Sequence, residues 1–141
     1  HENIIGLKES VADESRWQAL YPLASPGFSL LSGDDETFVR AMIGGAHGVI
    51  SVASNAVPAT FARICRYVSE QNFDAALALD GQLQELYAFL GVEPNPVPIK
   101  AIMKLLGFGR GLRLPLLSLS DDYTGKADEM TDLCKTIEQS M

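Results

Sequence analysis

The sequence predicts an α/β fold in which three short parallel strands alternate with helices and an all-helical segment follows. Three observations carry this. Apolar runs at residues 4–7, 28–32 and 48–52 are short, rich in Ile, Leu and Val, and bounded by polar residues, glycine or proline, as buried strands are. The stretches between them place apolar residues at i, i+4 and are long enough for the crossover of a βαβ unit. From Pro58 onward the apolar period is purely helical.

Taken in order, Ile4, Ile5 and Leu7 read as a buried strand, best suited to a sheet covered on both faces, with Lys8 at its carboxyl end. Regular alternation puts Ile4, Gly6 and Lys8 on one face and Ile5 and Leu7 on the other. Asp13 is placed to cap a helix carrying Trp17, Leu20 and Tyr21, which ends near Pro22. Ser25-Pro26-Gly27 is a turn, and 28–32 the second strand. Asp34 or Asp35 can cap the next helix, in which Phe38 pairs with Met42 and Val39 with Ile43; Gly44-Gly45 closes it. The third strand is 48–52. Pro58 suits the first position of a helix with Phe61, Ile64, Cys65 and Val68 on one stripe. After Gln71-Asn72, the residues from Phe73 to Leu90 predict one longer helix, and three prolines at 94–98 forbid a regular element before the last of them. Ile99, Ile102, Met103 and Leu106 define a further helix stopped by Gly107. Residues 112–116 read as extended, and Ser120 as the cap of a final helix with Ala127, Met130, Cys134 and Ile137.

Composition excludes several classes. With 47% hydrophobic and 21% charged residues over 141 positions, a packed domain is expected and disorder is not. The net charge of −7 argues against a nucleic-acid partner. No apolar run reaches the ~20 residues needed to span a bilayer. Cys65 and Cys134 lie far apart on apolar helical stripes and read as free thiols of a reducing, cytoplasmic compartment. The opening His1-Glu2-Asn3 has neither an initiator Met nor the basic stretch of a signal peptide, and a chain that starts on a strand is expected to continue upstream.

Lys8 has two readings. Its stem can snorkel past the strand to water, or its amine can sit in a partly desolvated pocket, where a lowered pKa leaves it neutral and able to attack a carbonyl. Gly33-Asp34-Asp35 and Gly44-Gly45-Ala46-His47-Gly48 offer backbone that a ligand can approach, or plain turn and cap chemistry. His47 has no partner at metal-ligand spacing and reads as a surface or capping residue. Lys100 and Lys104 read as a solvated helix face. In parallel α/β folds ligands bind outside the carboxyl ends of the strands, where Lys8, Gly33 and the end of the Ile50 strand all fall.

Five segments in order, Ile5-Gly6-Leu7-Lys8-Glu9-Ser10, Leu30-Leu31-Ser32-Gly33-Asp34-Asp35, Gly48-Val49-Ile50-Ser51-Val52-Ala53-Ser54-Asn55, the stretch from Val92-Glu93-Pro94-Asn95-Pro96 to Lys100, and Leu112-Arg113-Leu114-Pro115, closely resemble the dihydrodipicolinate synthase family. The resemblance implies the carboxyl-terminal portion of a (β/α)8 TIM barrel over residues 1–71 and a helical carboxyl-terminal domain over 72–141. It implies a lyase of the aldolase type on the route to lysine, condensing pyruvate with L-aspartate 4-semialdehyde through a lysine Schiff base, without metal or cofactor. By the same resemblance Lys8 matches the Schiff-base lysine, Gly33 a glycine near the substrate, and Ile50 the isoleucine whose main chain contacts pyruvate. The family's proton-relay tyrosine, threonine pair and substrate arginine belong to strands outside this sequence, so the implied partners are the amino-terminal half of the barrel and further copies in a tetramer. N-acetylneuraminate lyase shares the barrel and the lysine; a non-catalytic partial barrel recruiting a partner through its edge is the reading from another class.

Overall fold

The structure is a computed structural model and describes residues 1–140. Two compact units are present: residues 1–51 with 64–80, and residues 52–63 with 81 onward.

The first unit is built on a three-stranded parallel sheet of order β1-β2-β3, with β1 at Gly6–Glu9, β2 at Ser29–Ser32 and β3 at Gly48–Val49. Gly6 pairs with Ser29, Lys8 with Leu31 and Glu9 with Ser32, and the ladder continues from Leu31 to Gly48 and from Ser32 to Val49. Helix α1 (Glu14–Leu20) begins where the Asp13 carboxylate accepts the Ser15 amide at 2.8 Å. It passes into a 3-10 turn at Tyr21–Leu23, which contains Pro22. Helix α2 (Phe38–Gly44) is preceded by a turn in which the Asp34 carboxylate accepts both the amide and the hydroxyl of Thr37, at 2.9 and 2.6 Å. Gly45, at φ 125°, takes the left-handed position that closes α2, donating to the Ala41 and Met42 carbonyls. Trp17, Leu20, Leu30, Ala41 and Ala46 are buried together, with Leu7, Tyr21, Ala24 and Met42 against them. The helix-facing side of the sheet is thus the core.

Two strand expectations need correcting for one reason. Ile4 and Ile5, expected in a buried strand, precede β1 and are 63% and 70% exposed, and Phe28 lies outside β2. The Phe28 amide and carbonyl are both spent on Ser25, which closes the turn at 25–28. No ladder position is therefore left opposite Ile4, and the ladder opens with the Ser29 amide on the Ile5 carbonyl at 2.8 Å. The third strand, expected over 48–52, covers Gly48–Val49 only. Its pairing with β2 ends at the Ile50 amide, 2.7 Å from the Ser32 carbonyl, because Gly33 and Asp34 leave the sheet there for the turn before α2. Nor is the sheet covered on both faces by the described residues: Lys8 and Ser29, on the side away from α1 and α2, are exposed.

Helix α3 (Pro58–Ser69) starts at proline as expected. The single helix expected from Phe73 to Leu90 is instead α4 (Phe73–Asp80), a 3-10 turn at Gly81–Leu83 and α5 (Gln84–Leu90). Glycine, the weakest helix former after proline, marks the break. In the second unit α5, α6 (Val97–Leu105) and α7 (Thr124–Gln139) pack together, burying Leu86, Phe89, Ile99, Ile102, Met130, Cys134 and Ile137. Phe61 and Tyr87 add an edge-to-face ring pair at 6.5 Å. Helix α6 opens at Val97, one residue ahead of Pro98, which is tolerated in the first turn because amides there lack an intrahelical acceptor. Residues 112–116 are not extended throughout: the Leu116 amide reaches the Arg113 carbonyl at 3.0 Å and closes a turn over Leu114 and Pro115. Ser120 caps a 3-10 turn at Asp121–Tyr123 and its hydroxyl donates to Glu93, so α7 begins at Thr124.

Candidate active site at the carboxyl ends of the strands

Parallel pairing puts Glu9, Ser32 and Val49 side by side at one end of the sheet, and the residues that follow them remain in step. The Gly33 amide donates to the Glu9 carbonyl at 2.8 Å and the Ile50 amide to the Ser32 carbonyl at 2.7 Å. Lys8, Gly33 and Ile50 therefore lie at the same end, as their positions in sequence predict.

Alternation divides the strand between two jobs. Leu7, half-buried, packs on the core beneath α1 and α2, and Glu9, buried on the same side, meets the Arg16 side chain from α1. Lys8 between them projects from the opposite, open face. Its stem crosses Gly33: a Cβ at that glycine would sit 2.2 Å from Lys8 Cε and 3.1 Å from Cγ, and 2.2 Å from Ser10 Oγ. Only a residue without a side chain leaves the lysine this path. Lys8 and Gly33 are thus in contact, with Ser10 beside them, whereas Ile50 stands two strands from Lys8, linked through Ser32, with its side chain half exposed.

Glu9 was not legible as a site residue, since nothing in the linear sequence shows the partner of a charge that follows an apolar run. Its Oε2 accepts from Arg16 Nε at 2.6 Å, and its Oε1 from the amides of Ser10 and Val11 at 2.9 and 3.1 Å. The Arg16 hydrogen bond is the main reason this carboxyl is held below the usual range; burial opposes it, and the two amides and the guanidinium charge assist. One carboxylate thereby fixes the backbone immediately after Lys8. Ser32, fully buried, plays a related part beneath Gly33, its hydroxyl exchanging 3.2 Å contacts with the Asp34 backbone.

His47 is a structural residue: its Nδ1 accepts the Leu30 amide at 3.1 Å while its own amide donates to the Leu30 carbonyl at 2.7 Å. Among the described residues no group of three or more His, Cys, Asp and Glu side chains is arranged to hold a metal ion, and no helix is long and apolar enough to cross a membrane. Cys65 and Cys134 are free thiols, and burial pushes both upward, Cys134 to about 11.

The chain is similar to 4-hydroxy-tetrahydrodipicolinate synthase of Stenotrophomonas maltophilia, with 45% identity over 92% of this chain and 44% of that protein. The enzyme of the same name from Xanthomonas axonopodis pv. citri is 47% identical over 92% of this chain and 43% of its own length. Among solved structures, dihydrodipicolinate synthase from Aquifex aeolicus superposes with a TM-score of 0.87 at 35% identity, over 93% of this chain and 45% of that one. The chain therefore spans less than half the length of the relatives it matches. Three parallel strands with their helices, then helices alone, are the carboxyl-terminal portion of a (β/α)8 barrel followed by a helical segment. The family model described as the dihydrodipicolinate synthetase family matches residues 1–134, and the chain belongs to that family.

Proposed function

We propose that this chain is the carboxyl-terminal portion of a 4-hydroxy-tetrahydrodipicolinate synthase, condensing pyruvate with L-aspartate 4-semialdehyde in cytoplasmic lysine biosynthesis, with Lys8 as its Schiff-base residue. The observation that carries this reading is the amine at a strand's carboxyl end whose stem lies along a glycine, in a chain of this family. Residues 1–71 are the barrel part and 72–141 the helical domain. The neutral Lys8 amine attacks the pyruvate ketone and water leaves, giving an imine. The imine draws electrons from the adjacent methyl group, which releases a proton to give an enamine. The enamine carbon bonds to the aldehyde carbon, and cyclisation through the substrate's amino group displaces lysine and frees it for another turnover. Gly33 keeps the path of the amine open, and the main chain at Ile50 contacts pyruvate.

The reaction also needs a proton relay and groups to hold the pyruvate carboxylate. These fall to the rest of the barrel, and the working protein is a homo-oligomer, a tetramer, of complete barrels. On this reading the 141-residue chain alone does not turn over: losing the acid–base group costs a factor of about 10²–10⁴, and losing positioning adds to it. The test is borohydride trapping with pyruvate, read by peptide mass spectrometry, on the chain alone and with the remaining half of the barrel supplied. A Lys8 adduct, lost in Lys8→Arg because guanidinium stays protonated, and turnover only with the added half are expected. An adduct on Lys100 or Lys104 with Lys8 untouched overturns the assignment.

A further inference from the structure

Charge is not spread evenly along this acidic chain. Between Pro94 and Ser120 there are four cations, Lys100, Lys104, Arg110 and Arg113, and no Asp or Glu, although acids outnumber bases 18 to 11 overall. The second unit gathers three of the four, Lys100, Arg110 and Arg113, around one cavity of about 660 Å³, whose remaining wall is Pro96, Gly111, Leu112, Leu114, Pro115 and Leu116. No carboxylate lines it, and among the described residues none lies within ion-pair distance of these three cations. Elsewhere the same unit does pair its lysines: Lys126 with Glu85 and Glu129, and Lys135 with Asp132.

Three like charges around one concavity repel one another. Lys100 is placed by α6 and Arg113 by the turn that closes at Leu116, while Arg110 stands on the segment between them. A negative ligand relieves the repulsion that water and salt only screen. Two arginines present planar forks suited to oxyanions, while the lysine adds a point charge. The volume is in the range of small-molecule sites.

We propose that this cavity binds a small oxyanion carrying at least two negative charges, a phosphate group or a dicarboxylate. The proposal is independent of the reading of Lys8. The cavity lies wholly within residues 96–116, and its occupant need not be a substrate of the reaction above.

The test is titration of the 141-residue chain with inorganic phosphate, malonate and acetate at constant ionic strength, followed by calorimetry and by backbone amide shifts. Saturable binding of phosphate or malonate is expected, at least tenfold tighter than acetate, with shifts centred on 96–116. Phosphate tighter than malonate assigns a phosphate compound; the reverse assigns a dicarboxylate. Arg110→Gln with Arg113→Gln should weaken the tighter ligand at least tenfold, while Lys135→Gln, whose side chain is paired elsewhere, should not change it. Both arginines are exposed, and an unchanged circular-dichroism melt confirms that the double variant remains folded. Equal affinity for acetate, absence of saturation, or full binding by the folded double variant overturns the proposal.

Discussion

Gly33→Ala separates a residue that makes room for the amine from one that merely turns the chain. The new Cβ would lie 2.2 Å from both Lys8 Cε and Ser10 Oγ, against an ordinary carbon contact of about 3.5–4.0 Å. Each must retreat by more than about 1 Å, and Nζ moves with Cε. Both are ends of exposed side chains that can swing aside, at a rotamer cost of roughly 0.5–1.5 kcal/mol. Gly33 does not have the positive φ that would strain alanine, so the lower entropy of the unfolded chain returns about 0.4–1 kcal/mol. The net change in stability is therefore near zero to about 1 kcal/mol. A 1 Å misplacement of a reacting group, by contrast, costs on the order of 10²-fold in rate. In the barrel completed with its remaining half, imine trapping by pyruvate and borohydride should fall roughly 100-fold while Tm moves by only a few degrees. Gly33→Val should deepen the first effect. Trapping within threefold of the parent, or a collapse of Tm with pyruvate affinity kept in the folded fraction, would refute the claim that this glycine clears the path of Lys8.

Glu9→Gln should destabilise the chain by on the order of 1–2 kcal/mol at pH 7, the loss being tempered by the half-exposed Arg16. Because the Glu9 carboxyl is held below its ordinary 4.5, the stability it supplies is present above that value and fades as pH falls through its lowered folded value; urea melts from pH 7 to pH 3 should bring parent and variant together at the acid end. Glu138→Ala should cost about 1–2 kcal/mol in the same melts, since that carboxylate accepts the Ala59 and Thr60 amides and the Thr60 hydroxyl at the start of α3, at 3.0, 2.8 and 2.6 Å. Cys134, 1% exposed and pushed up to about 11, should react with a thiol reagent only as fast as the chain unfolds. Its burial should leave stability unchanged below pH 9 and erode it between 9 and 11, where the unfolded chain releases the proton first; Cys134→Ser, read in the same pH series, should lack that alkaline decline.

The sequence made the helix-facing side of the sheet legible because that side follows one rule. Leu7, Leu30, Trp17 and Leu20 are apolar at the right period, and all contribute to the same core. Strand lengths were not legible, because a strand is as long as its partner allows. The Phe28 backbone closing on Ser25 shortens β1 and β2 together, and the departure of Gly33 and Asp34 from the sheet limits β3, yet none of these events alters the apolar runs themselves. The same holds for the helix expected from Phe73 to Leu90: its stripe is continuous in sequence, and only the 3-10 turn at Gly81 reveals that the two parts are distinct helices.

The open face obeys another logic, and there the site was only half readable. Lys8 is conspicuous as a charge ending an apolar run, and Gly33 as a glycine following a strand; pairing was needed to bring them together, because their contact depends on the Lys8–Leu31 register. A one-residue slip would turn Lys8 toward α1 and bring Glu9 to the open face. What opposes the slip is Leu7, whose packing on the helix-side core would be lost, together with the hydrogen bond that Arg16 of α1 gives the Glu9 carboxylate. On the open face water would solvate that carboxylate, so the larger loss on slipping is the apolar contact of Leu7. The direction of the lysine is therefore set from the opposite face, by Leu7, which the apolar pattern shows, and by the contact of Glu9 with Arg16, which only the three-dimensional neighbourhood shows.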